Sequence, residues 1–163
     1  MGDDVPRDHV TAYTDGACLG NPGAGGWACI LLYGPHRKEM SGGEPHTTNQ
    51  RMELRAAVEA LQALKRPCRV TLYSDSAYLV NAFRQGWVVR WQANGWRNKS
   101  KEDVANRDLW ERLIALTERH EVEWAKVKGH ADDELNNRCD ELARAAAKQA
   151  QERALRDGMK GAP

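Results

Sequence analysis

The sequence predicts an α/β fold in which a mixed β-sheet is flanked by helices. Three short β-rich segments come first, and helical and extended segments alternate after them. Consecutive strands are typical of an antiparallel meander, whereas strand–helix–strand units give parallel strands with right-handed crossovers. The predicted order β-β-β-α-β-α-α-β-α combines both arrangements. At 163 residues, the chain has the size of one domain with a sizeable core.

The predicted strands are short segments rich in apolar, β-branched and aromatic residues. WACILLY is apolar throughout, which indicates a buried strand, and Gly34-Pro35 ends it. EVEWAKV is assigned by its alternation of polar and apolar residues. The predicted strands cover residues 9–14, 27–33, 38–42, 69–74 and 121–127. The glycine-rich residues after Asp15 are predicted to leave the first strand and form a loop.

Helices are predicted where apolar residues recur every three or four positions. The first helix follows the capping residues Thr48 and Asn49 and stops before Pro67. The second is interrupted by Gly86, after which a short helix and an exposed loop are expected. The predicted helical segments cover residues 49–65, 76–87, the beginning of 88–101, 105–120, and a last helix from Asp132 or Asp133.

The ends of the chain are expected to lie outside the folded unit. We predict a flexible leader over residues 1–8, the domain over 9–148, and a C-terminal tail over 149–163 that is a frayed helix or disordered. The leader is acidic and polar, so we do not expect it to be a signal peptide, and no apolar run approaches the roughly 20 residues of a membrane span. Four scattered cysteines fit reduced thiols. We therefore expect a cytoplasmic protein with no membrane partner.

The charge of the chain is balanced overall but clustered locally. With 24 Lys and Arg against 23 Asp and Glu residues, net charge excludes no class of partner. Residues 84–101, RQGWVVRWQANGWRNKSK, carry five cations and no acid, and we call them the basic Trp-rich segment. Cations beside aromatic rings suit a nucleic-acid backbone and its sugars. The ordinary alternative is inward-packed tryptophans and solvated cations; we expect some of both, with Trp87 and Trp91 mostly packed.

Two strand ends share a pattern, Tyr-Thr-Asp at Asp15 and Tyr-Ser-Asp at Asp75. The two strands are joined through a helix, which predicts a parallel pair whose carboxyl ends meet at one edge of the sheet. Ligands of open α/β sheets bind at that edge. Taken singly, each aspartate is more simply a cap of the following turn or helix. Together they form a candidate site.

Two more carboxylates are predicted near this edge. Glu53 lies in the first turn of its helix, at the margin of the apolar stripe. Asp140, which follows Cys139 in the last helix, also lies at the margin of an apolar stripe. Considered alone, Glu53 is more simply a surface residue that complements the helix dipole, and Asp140 is more simply a solvated residue at the edge of its helix. Clustered carboxylates repel unless a cation joins them, and Mg²⁺ accepts such ligands. Two such ions can support in-line phosphodiester attack.

A histidine precedes the last predicted helix. His130 lies in KGHADDEL, and a lone loop histidine is usually just exposed. Its neighbours Gly129 and Ala131 indicate mobility, and a mobile histidine near bound metals could transfer protons.

The motifs, taken in order, resemble those of the bacterial ribonuclease HI family. They are TDGACLGNPGAGGW, TTNQRMEL, YSDSAYL, GW…NGW, NRDLW, VKGH and NNRCDELAR. The resemblance runs from about residue 10 to 148 and is highly specific, because many motifs occur in one order. It implies a ribonuclease H-like fold: a five-stranded mixed sheet flanked by helices, with a basic Trp-rich protrusion.

The resemblance also implies an activity, namely endonucleolytic cleavage of the RNA strand of RNA–DNA hybrids, leaving 3′-hydroxyl and 5′-phosphate ends. The cofactor is Mg²⁺, two ions during catalysis, or Mn²⁺. The implied catalytic residues are Asp15, Glu53, Asp75, His130 and Asp140. The four carboxylates are the implied metal ligands. Asp15 bridges both ions, and Asp140 joins it on the ion that activates the water. Glu53 and Asp75 bind the other ion. Glu53 is also placed to hydrogen-bond a ribose 2′-OH.

Further residues match family positions that contact the hybrid duplex. The implied substrate-binding residues are Cys18, Asn21, Thr48, Asn49, Gln50, Trp87, Arg90, Trp91, Trp96 and Arg97. Gln50 stands where many members have asparagine, and Ala77 where they have glutamine. Both positions contact the minor groove in the family, so affinity and cleavage-site preference need not follow those of other members. The loop QANG is less basic than is common, so we expect weaker, still salt-sensitive hybrid binding.

Two other functions remain open at this point. A hybrid-binding module without catalysis would keep the basic Trp-rich segment but lose a carboxylate, and all four are present. A different nuclease on the same fold, such as a junction resolvase, would also cluster acids but is not expected to carry TTNQRMEL. We expect a monomer, because nothing in the sequence indicates oligomerisation.

Overall fold

A computed structural model of the chain describes residues 8–127 and 133–160. Within this part, one sheet is flanked by helices. The strands are β1 (His9–Leu19), β2 (Gly23–Tyr33), β3 (His36–Thr47), β4 (Arg69–Ser74) and β5 (Glu121–Lys126). The helices are α1 (Asn49–Gln62), α2 (Ala77–Arg84), α3 (Trp87–Ala93), α4 (Arg107–Arg119) and α5 (Asp133–Lys160). None of these helices combines the length and the apolar character needed to cross a membrane.

The sheet is mixed, with strand order β3-β2-β1-β4-β5. β1, β2 and β3 form an antiparallel meander, and β1, β4 and β5 are parallel. This confirms the predicted five-stranded mixed sheet. It also confirms the parallel pairing of the two strands that carry the Tyr-Thr-Asp and Tyr-Ser-Asp patterns.

The first strand is longer than predicted. β1 continues through Asp15 to Leu19, because the glycine-rich residues after Asp15 pair with the start of β2, up to Leu19 opposite Ala24. The prediction that a loop begins after Asp15 was wrong. The parallel pairing with β4, however, ends at Tyr13 opposite Tyr73. Asp15 therefore lies where β1 and β4 diverge, which is the edge that the sequence predicted.

The helices follow the predicted boundaries closely. The Thr48 hydroxyl caps α1 by accepting from the Arg51 amide over 3.2 Å. Gly86 separates α2 from α3 with a φ of 74°, a left-handed conformation that glycine adopts without steric cost. α5 continues as one helix to Lys160, through most of the predicted tail, while the predicted leader up to residue 7 lies outside the described residues.

The two faces of the sheet pack against different helices. On one face, the side chains of Val10 and Ala12 join the main core with α1, α2 and α4. On the other face, Tyr13 packs against Cys139 of α5. α5 approaches the sheet backbone closely, since a Cβ atom at Gly26 would lie 2.1 Å from the Ala143 carbonyl oxygen. This contact fixes the helix that carries Asp140.

Candidate active site

Three carboxylates meet where β1 and β4 diverge. Asp15 lies on β1, Glu53 in α1, and Asp75 directly after β4. One carboxylate oxygen from each lies within 4.8 Å of the other two. Asp15 and Glu53 are only 4% and 6% exposed, which confirms that Glu53 lies at the buried margin of its helix. Asp75 is exposed.

The contact of β1 with α1 depends on Gly16. Because strand side chains alternate, Gly16 faces α1 with Val10 and Ala12. A Cβ atom there would lie 2.5 Å from the Glu53 amide nitrogen, so a residue without a side chain is required for this approach. The Gly16 amide donates to Asp15 Oδ1 over 2.9 Å and to Glu53 Oε1 over 3.2 Å. One backbone amide thus holds two of the three carboxylates.

Burial and mutual repulsion raise the pKa values of the three carboxylates. Burial and the charge of Asp75 raise the pKa of Asp15 to about 7, although the amide of Gly16 and a hydrogen bond with Glu53 act in the opposite direction. Burial also raises the pKa of Glu53 well above its usual value, and the charges of Asp15 and Asp75 add to this. The pKa of Asp75 is raised by desolvation and then by the charge of Asp140.

The donor set fits a hard divalent cation. Glu53 Oε2 is buried and has no hydrogen-bond partner among the described residues. A buried carboxylate oxygen without a partner is unfavourable unless a cation neutralises it. Three convergent carboxylates with raised pKa values provide oxygen ligands of the kind that Mg²⁺ prefers. The geometry therefore supports a divalent metal centre at Asp15, Glu53 and Asp75.

A polar pocket surrounds these carboxylates. Its lining residues are Asp15, Gly16, Asn21, Asn49, Gln50, Glu53, Asp75, Ser76, Tyr78 and Asp140. All four carboxylates predicted from the sequence are therefore brought to one pocket. Asp140 differs from the other three, because its Oδ2 lies 2.6 Å from an Arg144 nitrogen one turn along α5.

Three of the sequence-predicted substrate residues line the pocket, and two support it. Asn21, at the β1–β2 turn, accepts from the Asn49 amide through its side chain over 3.1 Å, which joins the turn to α1. Gln50 follows in the same helical turn. Thr48 caps α1, and the Cys18 thiol donates to the Thr47 carbonyl over 3.4 Å. Neither Thr48 nor Cys18 lines the pocket itself.

The basic Trp-rich segment lies beside the pocket and is anchored by its tryptophans. Trp91 and Trp96 are 6% and 7% exposed, so the expectation that Trp91 packs inward is confirmed. This burial disagrees with direct substrate contact by Trp91 and Trp96. Trp87 is partly buried, whereas Arg90 and Arg97 are exposed.

Sequence reasoning missed three residues of the pocket, Gly16, Ser76 and Tyr78. Gly16 and Ser76 directly follow Asp15 and Asp75, so their position next to the strand-end aspartates was the available signal. The Tyr78 ring joins the pocket to the basic Trp-rich segment, with its centroid 5.5 Å from that of Trp87. The predicted catalytic His130 lies outside the described residues.

Comparison with known proteins identifies the family. The RNase H family model matches residues 7–148. The chain belongs to the ribonuclease H family. A curated ribonuclease H from Moorella thermoacetica is 67% identical over 137 residues, covering 84% of this chain and 90% of the relative. One from Chlorobaculum parvum is 62% identical over 140 residues, covering 86% and 96%.

A solved ribonuclease H fold supports the same assignment. The crystal structure of LC9-RNase H1, a type 1 RNase H with the type 2 active-site motif, superimposes with a TM-score of 0.78 at 34% identity. The superposition covers 90% of this chain and 75% of the LC9-RNase H1 chain. The predicted ribonuclease H-like fold is therefore confirmed. As a member of this family, the chain is a hydrolase of the ribonuclease H class.

Proposed function

We propose that this ribonuclease H family member cleaves the RNA strand of RNA–DNA hybrids, leaving 3′-hydroxyl and 5′-phosphate ends. The observation that carries the proposal is the convergence of Asp15, Glu53 and Asp75 with an unpartnered buried oxygen on Glu53. A non-catalytic binding module has no need for such a costly cluster. Membership of the ribonuclease H family supports a catalytic role for this cluster.

The carboxylates serve as metal ligands in this proposal. Asp15, Glu53, Asp75 and Asp140 would hold two Mg²⁺ ions, with Mn²⁺ as a possible substitute. When bound, the ions activate the attacking water and stabilise the leaving oxygen. Asp15 is the shared ligand in the sequence-based assignment. Asp140 could bind through Oδ1 while its Oδ2 keeps the ion pair with Arg144, because a carboxylate offers two acceptor oxygens.

The remaining pocket residues would orient the hybrid. Asn21, Asn49 and Gln50 present amide groups beside the carboxylates, and amides can both donate to and accept from bases and ribose hydroxyls. Glu53 would accept from a ribose 2′-OH, the group that distinguishes RNA from DNA. Arg90 and Arg97 would contact backbone phosphates from the basic Trp-rich segment. Their exposure supports this assignment.

Some features of the proposal rest on the sequence alone. The role of His130 in proton transfer stays a prediction from its place in the KGH motif. A cytoplasmic location and a monomeric state also stay predictions. The RNA–DNA hybrid duplex is the proposed partner, and no membrane partner is proposed.

Cleavage of a strand-labelled hybrid in Mg²⁺ tests the proposed function. Single-stranded RNA, duplex RNA, duplex DNA and a DNA junction are run beside it, with Asp15→Asn as the matched variant. We expect cutting of the RNA strand of the hybrid alone. Asp15→Asn should lower the rate by roughly a thousandfold or more, because it removes the shared metal ligand.

The other outcomes separate the rival functions. A hybrid that is bound but uncut in both Mg²⁺ and Mn²⁺ would establish a binding module. Cutting of the junction but not of the hybrid would indicate a different nuclease on the same fold. Equal cutting by wild type and Asp15→Asn would contradict the proposed role of Asp15 as a metal ligand.

A further inference from the structure

Arg51 lies between the pocket and the helix that follows the basic Trp-rich segment. Its guanidinium donates to Asp108 Oδ1 and Oδ2 over 3.0 and 2.7 Å. This parallel pair of bonds is the strongest and most directional form of an Arg–carboxylate contact. The contact lowers the pKa of Asp108 below its usual value. Arg51 belongs to the first turn of α1 and Asp108 to that of α4.

The same guanidinium holds Asn106, the N-cap residue of α4. An asparagine at this position ordinarily caps through its own side chain, yet the Asn106 side chain makes no cap hydrogen bond. Its Oδ1 instead accepts from Arg51 over 3.3 Å. Asn106 also has a left-handed backbone, with φ of 63°, which is uncommon for a residue other than glycine. Arg51 thus stabilises the start of α4 in an unusual conformation.

The two elements that Arg51 joins belong to the two regions that are proposed to bind the hybrid. Its neighbour Gln50 lines the pocket, as does Glu53 two residues later. On the other side, the loop into α4 is continuous with the basic Trp-rich segment, because Val104 donates its amide to the Trp96 carbonyl over 2.9 Å. A hybrid bound to both regions would need them at a fixed separation.

We propose that Arg51 is a positioning residue for the hybrid. Through Asp108 and Asn106, it fixes the first turn of α1 relative to the start of α4, and thereby the pocket relative to the basic Trp-rich segment. This inference rests on the proposed function. It assigns Arg51 no contact with the reacting atoms.

The rival role for Arg51 is direct contact with a backbone phosphate, and Asp108→Asn separates the two. As a positioning residue, Arg51 needs the charge of Asp108, so Asp108→Asn should weaken hybrid binding. As a phosphate ligand, Arg51 competes with Asp108 for its guanidinium, so Asp108→Asn should strengthen binding. The two roles therefore predict effects of opposite sign.

Arg55 supplies the matched control. It lies one turn after Arg51, and both pair with Glu44, at 2.8 Å for Arg55 and 3.8 Å for Arg51. The other partners of Arg55 in the described part are Glu59 and the Trp27 ring, and neither belongs to α4. Arg55→Ala removes the same charge from the same helix but leaves the connection to α4 intact.

Steady-state kinetics on the hybrid give the first readout. We expect Arg51→Ala and Asp108→Asn each to raise KM by roughly tenfold, with kcat within about threefold of wild type, because Gly16 and burial still place the carboxylates. The double variant should be no worse than either single one. Arg55→Ala should leave KM within about twofold of wild type. Melting temperatures of all variants show whether a KM change merely follows lost stability.

Binding in an Asp15→Asn background gives the second readout, and it does not require cleavage. The slope of log Kd against log salt should change by the same amount in Arg51→Ala and Asp108→Asn, whereas loss of a phosphate contact of Arg51 lowers it by about one in Arg51→Ala alone. Tighter binding by Asp108→Asn, or a slope that is lower in Arg51→Ala alone, would overturn the positioning role. If wild type binds the hybrid without cutting it, the proposed function fails while this test of Arg51 still stands.

Discussion

At the scale of single residues, the protonation of Asp15 links metal binding to stability. Its ordinary pKa is 3.8, and in the fold the pKa is about 7. Between these values, the folded chain holds a proton that the unfolded chain releases. Linkage then makes the free energy of unfolding fall as pH rises through this interval. The contribution is fully present below the lower pKa and lost above the higher one, and its size is on the order of 4 kcal/mol.

We therefore expect Asp15→Asn to stabilise the metal-free protein at pH 8 by a few kcal/mol, and to have little effect at pH 4. Urea unfolding in a chelator at both pH values measures this difference. Added Mg²⁺ should stabilise wild type at pH 8, because the ion binds the charged carboxylate, and should stabilise Asp15→Asn less. Parallel stability–pH curves for the two proteins would contradict the raised pKa.

At the scale of elements, the contact of β1 with α1 determines where Glu53 lies. Gly16→Ala would place a Cβ atom 2.5 Å from the Glu53 nitrogen and 2.6 Å from the Met52 carbonyl carbon, both backbone atoms that cannot rotate away. We expect a loss of about 3 kcal/mol in the free energy of unfolding, because the helix must shift. The shift displaces Glu53, so kcat should fall more than KM rises. Urea unfolding and steady-state kinetics measure the two effects.

Gly158→Ala is the control for this substitution. Gly158 is helical in α5, and among the described residues no heavy atom beyond the local helix backbone lies within 4 Å of an added Cβ atom. Alanine should be neutral there or stabilising by up to about 1 kcal/mol. Equal effects of Gly16→Ala and Gly158→Ala would mean that the close approach of α1 to β1 is not needed.

The elements also show which features a sequence can predict. Strand alternation and helical spacing predicted the sheet and the edge where Asp15 and Asp75 meet, because these periods follow from backbone geometry. The extension of β1 to Leu19 was missed, because glycines are poor strand formers. Residues 16–19 are extended here because they pair with the start of β2. The burial of Trp96 was missed for a similar reason, since it depends on ring contacts with Trp91 and Arg107 that no regular spacing in the sequence indicates.

At the scale of the whole molecule, hybrid binding depends on where the charges lie. The net charge is only +1, so nonspecific attraction over the surface is weak. The exposed Arg90 belongs to the basic Trp-rich segment, which carries five cations and no acid. Arg97 belongs to the same segment but lies 3.0 Å from Asp103, a carboxylate that partly neutralises it. The two arginines should therefore contribute unequally.

We expect Arg90→Glu to weaken hybrid binding by roughly tenfold at low salt and to lower the slope of log Kd against log salt by about one. Arg97→Glu should have a smaller effect, and Asp103→Asn should tighten binding by freeing Arg97. Titration of a labelled hybrid against each variant in an Asp15→Asn background measures these affinities without cleavage. Arg153→Glu, an exposed site on α5, makes the same change in net charge outside the segment and should have little effect. If all three charge reversals weaken binding equally, net charge governs it and the basic Trp-rich segment has no special role.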